Sequence, residues 1–70
     1  MRYRELTKRL KEMGCYQLRA AKGSHRYWYN PVADKVTSIP DWGSKDLWIG
    51  TVRSILRDLG IGREEFGLIK

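Results

Sequence analysis

The stretch that decides the fold is 15-CYQLRAAKGSHRYWYN-30, in which two runs of strand-forming residues flank a turn. From Cys15 to Ala20 apolar and polar residues alternate, which predicts a half-buried strand. Lys22-Gly23-Ser24 predicts a short turn. The aromatic run from His25 to Tyr29 predicts a second strand, and the short turn makes the two strands an antiparallel hairpin.

Alternation also assigns each side chain of the hairpin to a face. In the first strand, one face is predicted to carry Tyr16, Leu18 and Ala20, and the other Gln17 and Arg19. In the second strand, one face is predicted to carry His25, Tyr27 and Tyr29, and the other Arg26 and Trp28. If Trp28 faces the core, the His25 face is open and its tyrosines can stack on unpaired bases. If the tyrosines form the core, His25 lies at the sheet margin. The sequence alone leaves both arrangements open.

The hairpin is followed by a third strand. Asn30-Pro31 breaks the second strand, and Lys35 to Ile39 contains good strand formers before Pro40 ends it. The connections are short enough for a three-stranded meander. Asp41 to Asp46 predicts a loop.

An amphipathic helix is predicted on each side of the strands. Residues 3–13 carry one apolar stripe and end at Gly14, while a second helix begins near Gly50 or Thr51 and ends at Gly60. The stripes are Tyr3, Leu6, Leu10 and Met13, and then Val52, Ile55, Leu56 and Leu59. A last helical turn is predicted over 63–67, with Phe66 on the core.

The order α-β-β-β-α predicts an α+β fold in which both helices cover one face of a three-stranded antiparallel sheet. In element order this resembles the double-stranded-RNA-binding fold. A chain of 70 residues allows one domain, over residues 1–70.

The net charge of +6 is carried by the first part of the chain. Residues 1–29 hold eight Lys and Arg against two Asp and Glu, whereas residues 30–70 hold six of each. A basic patch on this scale is typical of proteins that bind polyanions, most often nucleic acid. An acidic protein partner is the competing explanation.

Composition excludes several classes of protein. One Cys and one His cannot form an internal disulfide or a structural zinc site. Asp34, Asp41 and Asp46 lie at no recognisable metal spacing, so we expect no metal and no cofactor. Apolar runs are too short for a membrane helix or a signal-peptide core, and a cytoplasmic protein with no membrane partner is expected. Cys15 is expected to be a buried small hydrophobe, because sequence spacing does not support a nucleophile paired with His25.

His25 is the one histidine of the chain and the strongest candidate for chemistry. Imidazole gives and takes protons near neutral pH, which general acid/base catalysis requires. Lys22 and Arg26 lie close in sequence and are suited to holding phosphate. The alternative is a strand histidine that only packs or forms a hydrogen bond.

Short motifs along almost the whole chain resemble the HicA (YcfA-like) toxin family. They are Arg4-Glu5-Leu6, Gly14, Lys22-Gly23-Ser24-His25, Ile39-Pro40, the run from Gly50 to Leu56, and Glu64-Glu65-Phe66. The combination of Lys-Gly-Ser-His with the later Gly-Thr-x-Arg-Ser-Ile-Leu is the most specific part.

The resemblance implies a small mRNA interferase of a type II toxin–antitoxin module, with a fold similar to the double-stranded-RNA-binding domain. It implies that activity depends on the histidine of the Gly-Ser-His motif, here His25, positioned by Gly23 and Ser24. A HicB-like antitoxin would cover that surface in a hetero-oligomer.

The mechanism expected from these residues is metal-independent cleavage in which the RNA 2′-hydroxyl attacks the adjacent phosphate. His25 would exchange the protons, Lys22 and Arg26 would stabilise the phosphorane charge, and Arg19 is a further candidate. Lys8 and Lys11 on the first helix would hold the RNA backbone.

Two stretches depart from the family pattern, at Asp41-Trp42-Gly43 and Leu47-Trp48-Ile49. Trp42 and Trp48 belong either to the core or to an antitoxin-docking surface. The alternative function is a non-catalytic RNA-binding module of the same fold, and a further one is a domain that docks an acidic protein. Double-stranded DNA is disfavoured because the sequence has no helix-turn-helix pattern.

Overall fold

The computed structural model describes residues 1–20 and 23–69, and within them it contains three helices and three strands. Their order is α1 (Tyr3–Glu12), β1 (Tyr16–Ala20), β2 (His25–Asn30), β3 (Lys35–Pro40), α2 (Ile49–Asp58) and the single turn α3 (Arg63–Phe66). This confirms the expected α+β class with an open three-stranded sheet. The N-cap of helix α2 is Trp48, with an extended backbone, and not Gly50 or Thr51 as expected, so the helix begins at Ile49.

Strand β2 is the centre of the sheet and pairs antiparallel with β1 and β3. Trp28 lies opposite Thr37 and Arg26 lies opposite Ile39, so these residues share a face. Trp28 and Ile39 are buried, and the indole Nε1 of Trp28 donates a hydrogen bond to the Tyr3 hydroxyl of α1 at 3.0 Å. Trp28 therefore faces the helices, and His25 lies on the other face of the sheet.

Strand β1 differs from the sequence expectation. Its register shifts between Gln17, which lies opposite Trp28, and Arg19, which lies opposite Tyr27. A bulge inserts an extra residue and reverses the alternation beyond it, so Arg19 shares the face of Tyr16 and Tyr27. The expected grouping of Arg19 with Gln17 was therefore wrong.

The expectation that β1 is half-buried was also wrong for its described side chains. Tyr16 is 49% exposed and Leu18 is 52% exposed. The buried residue is instead Cys15, which directly precedes β1, is only 3% exposed and belongs to the core. Tyr16 lies opposite Tyr29, on the side of the sheet away from the helices, so the helices do not cover it.

The core lies between the helices and the inner face of the sheet. Its most completely buried side chains are Trp28, Leu6, Leu10, Ile39, Leu59 and Val52. Asn30 Nδ2 donates to the Leu59 carbonyl at 2.8 Å and ties the end of β2 to the end of α2. Both helical stripes expected from the sequence are therefore confirmed as core-facing.

The chain ends are also held in place. The amino group of Met1 lies 3.0 Å from Asp46 Oδ1, and the Leu47 amide donates to the Met1 carbonyl at 2.8 Å. At the other end, Phe66 packs into the core as expected. Arg9 of α1 donates to the carbonyl of Leu68 at 2.6 Å and to that of Phe66.

Candidate active site

His25 is the first residue of β2 and its side chain is exposed. It follows a turn in which Gly23 has a φ of +63°, a conformation that glycine adopts without strain. The Asp41 amide donates to the Ser24 carbonyl at 2.7 Å, which fixes this turn to the residue after β3. Gly23 and Ser24 thus lie where the sequence placed them, while Lys22 lies outside the described residues.

The imidazole of His25 contacts a residue that the sequence did not single out. Its Nδ1 atom lies 3.0 Å from the Oγ atom of Ser38 on β3. Because this contact occupies Nδ1, Nε2 is the nitrogen left to exchange a proton with another group. The sequence could not indicate Ser38, since the contact depends on the β2–β3 register.

A cleft opens beside His25, between β3 and α2. Its lining is rich in small side chains and hydroxyl groups and comprises His25, Thr37, Ser38, Pro40, Trp42, Gly50, Thr51, Ser54, Ile55 and Asp58. Asp58 Oδ2 accepts a hydrogen bond from Thr37 Oγ1 at 3.2 Å, so part of this lining is already paired. The cleft leaves room for a polar group next to the imidazole. In the sequence, the motif from Gly50 to Leu56 had indicated the α2 side of this cleft.

Two of the expected cations lie close to His25 along the sheet. Arg26 belongs to the helix-facing side of β2, and its guanidinium donates to the carbonyls of Gly23 and His25, each at 3.0 Å. Arg19 lies on the His25 side, with its guanidinium carbon 5.4 Å from the centroid of the Tyr27 ring. Arg26 therefore braces the turn, while Arg19 stands on the open side.

The two lysines expected to hold RNA lie elsewhere. Lys8 and Lys11 are exposed on α1. The Nζ atom of Lys11 lies 5.8 Å from the centroid of the Trp28 ring, which faces the helices. The structure therefore does not bring these two lysines to the face that carries His25.

We call the side of the sheet away from the helices the open sheet face; its members are Tyr16, Leu18, Arg19, Tyr27, Tyr29 and Val36. The rings of Tyr16 and Tyr29 pack edge to face with centroids 5.6 Å apart. The Tyr29 hydroxyl donates to Asp34 Oδ1 at 2.7 Å, and this bond is the main cause that raises the pKa of Tyr29 above its usual value.

Trp42 and Trp48 pack edge to face with centroids 5.4 Å apart. Trp42 is half-buried against the core, whereas Trp48 is 72% exposed. Trp42 therefore packs on the core, which was one of the two possibilities, and most of the Trp48 side chain is exposed to solvent.

Cys15 is a free, buried cysteine, as expected. Burial raises the pKa of its thiol, and the nearby Glu65 carboxylate acts in the same direction. The neutral thiol is a weak nucleophile, so Cys15 has a packing role. Within residues 1–20 and 23–69, no three His, Cys, Asp or Glu side chains are grouped so that they could share a metal ion. In the same part of the chain, no helix is long and apolar enough to cross a membrane.

The chain was compared with protein families, curated proteins and solved structures. A family model described as the HicA toxin of bacterial toxin-antitoxin matches residues 3–61. Neither the curated proteins nor the solved structures gave a match. The matched range runs from the first residue of α1 to just beyond α2 and includes His25 and its turn. The chain therefore belongs to the HicA family of toxins of bacterial toxin–antitoxin systems.

Proposed function

We propose that this toxin is an endoribonuclease that cleaves mRNA, with His25 as its acid/base residue. The observation that carries the proposal is the placement of His25, exposed at the start of β2 beside an open cleft, with Nδ1 engaged by Ser38. An imidazole held in this way has one nitrogen free for proton transfer. Membership of the HicA toxin family supports the same assignment.

In the proposed reaction the RNA supplies its own nucleophile. The 2′-oxygen forms a bond to the adjacent phosphorus, the bond from phosphorus to the 5′-oxygen breaks, and the products carry a 2′,3′-cyclic phosphate and a 5′-hydroxyl. His25 takes the proton from the 2′-hydroxyl or gives a proton to the leaving 5′-oxygen. One positioned acid/base group contributes roughly 10²- to 10⁴-fold to the rate.

The proposed cationic residues act at different distances from the reacting phosphate. Arg19 stands on the His25 side of the sheet and Arg26 braces the turn before it, and with Lys22 they would offset the charge of the phosphorane. Lys8 and Lys11 on α1 would contact the RNA backbone remote from the scissile bond.

We further propose that a HicB-like antitoxin binds the His25 surface and forms a hetero-oligomer with the toxin. The exposure of His25 supports this proposal, as do the apolar side chains of Pro40 and Trp42 in the adjoining cleft, because a partner that covers them removes both the catalytic group and apolar surface from water.

The decisive experiment is inducible expression of the wild-type protein and of His25→Ala, followed by mapping of RNA ends. We expect growth arrest and RNA cleavage with the wild type only, and fragments that end in 2′,3′-cyclic phosphate. Because His25 is exposed, the variant should keep the circular-dichroism spectrum of the parent. Fragments with 3′-hydroxyl and 5′-phosphate ends would overturn the mechanism.

The alternative is a non-catalytic RNA-binding module, and the aromatic open sheet face is the observation that favours it. Under this alternative, wild-type protein and His25→Ala arrest growth equally and RNA remains intact. The same expression experiment therefore separates the two functions.

A further inference from the structure

We infer that the open sheet face is a binding platform on which unpaired bases of single-stranded RNA stack, directly beside His25. The inference deepens the proposed function and rests on its RNA substrate. It assigns a role to the tyrosines, which the proposed cleavage does not use, and a second role to Arg19.

The first argument is the arrangement of the rings. Tyr16 lies opposite Tyr29, and Tyr29 lies opposite Val36, so these three residues form one row across the sheet. Arg19 and Tyr27 form the next row towards His25. Since alternate residues of a strand are roughly 7 Å apart, Tyr27 is the closest aromatic residue of β2 to His25 on this face.

The second argument is exposure. Tyr16, Leu18 and Val36 are 49%, 52% and 51% exposed, although each belongs to a strand of the sheet. A shallow depression among them is lined by Leu18, Arg19, Tyr27 and Val36. Exposed apolar groups gathered on one surface of a small protein mark an interaction site.

The third argument is the chemistry of the depression, which favours a base over a lipid or an acidic peptide. A guanidinium 5.4 Å from an aromatic centroid presents two surfaces on which bases stack, the ring and the planar cation. The Asp34 carboxylate lies in the turn after β2 and accepts a hydrogen bond from the Tyr29 hydroxyl. An RNA phosphate beside Tyr27 therefore meets the Arg19 cation. The Asp34 carboxylate is bonded to Tyr29, which lies two residues further along β2.

The bulge in β1 is what creates this site. Without the register shift between Gln17 and Arg19, regular alternation would turn Arg19 to the helix-facing side. With it, the cation lies beside the rings. The occupant must be single-stranded, because the bases of a duplex are already stacked on each other and cannot present their faces to a sheet.

The test measures binding of fluorescein-labelled oligouridylate and oligoadenylate to the His25→Ala protein, which prevents cleavage during the measurement. Loss of one stacked base costs about 1–3 kcal/mol, so Tyr27→Leu should weaken binding by roughly 5- to 150-fold. Tyr27→Phe keeps the ring and should bind like its parent. Leu68→Ala is the matched control, since Leu68 is 78% exposed near the end of the chain and should leave the affinity unchanged.

A second readout reports stacking directly. In protein with ¹³C-labelled tyrosine, added oligonucleotide should move the ring signals of Tyr27 upfield, and a fully paired RNA hairpin should not. Unchanged Tyr27 signals, equal binding of hairpin and single strand, no RNA binding, or equal affinity of Tyr27→Leu and its parent would each overturn the inference. So would a Tyr27→Leu protein that loses antitoxin binding alone, because the face would then be a protein-docking surface.

The failure of this inference can be told from failure of the proposed function. Tyr27-dependent binding without any His25-dependent cleavage would leave the platform standing and remove the enzyme. Cleavage that depends on His25, together with normal RNA binding by Tyr27→Leu, would support the enzyme and remove the platform.

Discussion

The imidazole Nδ1 of His25 lies 3.0 Å from the Oγ of Ser38 on the neighbouring strand. The contact runs diagonally across the sheet, because His25 pairs with Pro40 while Ser38 pairs with Tyr27. A hydroxyl in this position restricts the rotation of an otherwise exposed ring. In the proposed reaction Ser38 would act through His25, as a positioning residue.

Replacing Ser38 should slow RNA cleavage without weakening RNA binding. A hydrogen bond of this kind contributes about 0.5–1.5 kcal/mol, so Ser38→Ala should lower kcat by roughly 2- to 10-fold and leave KM unchanged. Ser38→Thr retains the hydroxyl and should recover most of the rate. The ¹⁵N signal of His25 Nδ1 reports the hydrogen bond independently, and an unchanged Nδ1 signal in Ser38→Ala would contradict a positioning role.

The elements that the sequence predicted well are those with local causes. Gly14 and Gly60 end the two long helices, and the apolar stripes at helical spacing match the buried positions. Alternation also separated Trp28 from His25 correctly, but it could not say which of the two faces is inward. The hydrogen bond between Trp28 and Tyr3 belongs to tertiary packing, which joins residues far apart in the chain.

The features that sequence reasoning missed depend on pairing between strands. A bulge is a property of two strands together, so the sequence of β1 gave the wrong face for Arg19. The Ser38 contact likewise exists only in the observed register. His25 and its turn were therefore accessible from sequence, and Arg19 was named as a candidate but placed on the wrong face, while Ser38 was missed.

Arg9 should contribute more to stability than its basic neighbours on α1. Its guanidinium donates to the Leu68 carbonyl at 2.6 Å and to the Phe66 carbonyl, and it stands 3.9 Å from the centroid of the Phe66 ring. Hydrogen bonds from a charged donor contribute about 1.5–3 kcal/mol, so Arg9→Ala should lower the free energy of unfolding by about that amount in urea denaturation.

Lys8→Ala is the matched control for Arg9, since Lys8 is exposed on the same helix and its loss should change stability by less than about 0.5 kcal/mol. Arg9→Lys should recover only part of the loss, because a lysine cannot reproduce the planar fork. Equal unfolding free energies for Arg9→Ala and Lys8→Ala would show that Arg9 does not hold the end of the chain.

Gly60 should tolerate a side chain poorly. It has a φ of +70°, and a Cβ atom added there would lie 3.0 Å from the Cβ of Ala33 and 3.1 Å from the Cδ of Lys35. Gly60→Ala therefore combines backbone strain with a close contact, and we expect a loss of about 1–3 kcal/mol in thermal or urea unfolding. Gly50→Ala is the control, because Gly50 is helical with no atom within 4 Å of the added Cβ and should gain up to about 1 kcal/mol. Equal effects of the two substitutions would remove the argument from backbone conformation.

The bond between Tyr29 and Asp34 should make stability depend on alkaline pH. The hydrogen bond to Asp34, followed by burial and by the charges of Asp34 and Tyr16, raises the pKa of the Tyr29 phenol above its usual value. The folded state therefore holds this proton more tightly than the unfolded state does. The resulting stabilisation is fully present below a pH of about 10 and is lost as the pH rises through the pKa of the folded state.

Asp34→Asn tests this linkage, because it removes the carboxylate charge and asparagine accepts the left-handed backbone of position 34, where φ is +53°. The variant should bring the pKa of Tyr29 back towards its usual value, measured from the ring signals of ¹³C-labelled tyrosine during a titration. Its unfolding free energy should also change less between pH 8 and pH 11 than that of the wild type, because the proton is then held about equally by both states. If Tyr29 titrates at the same pH in both proteins, Asp34 is not the cause of the shift.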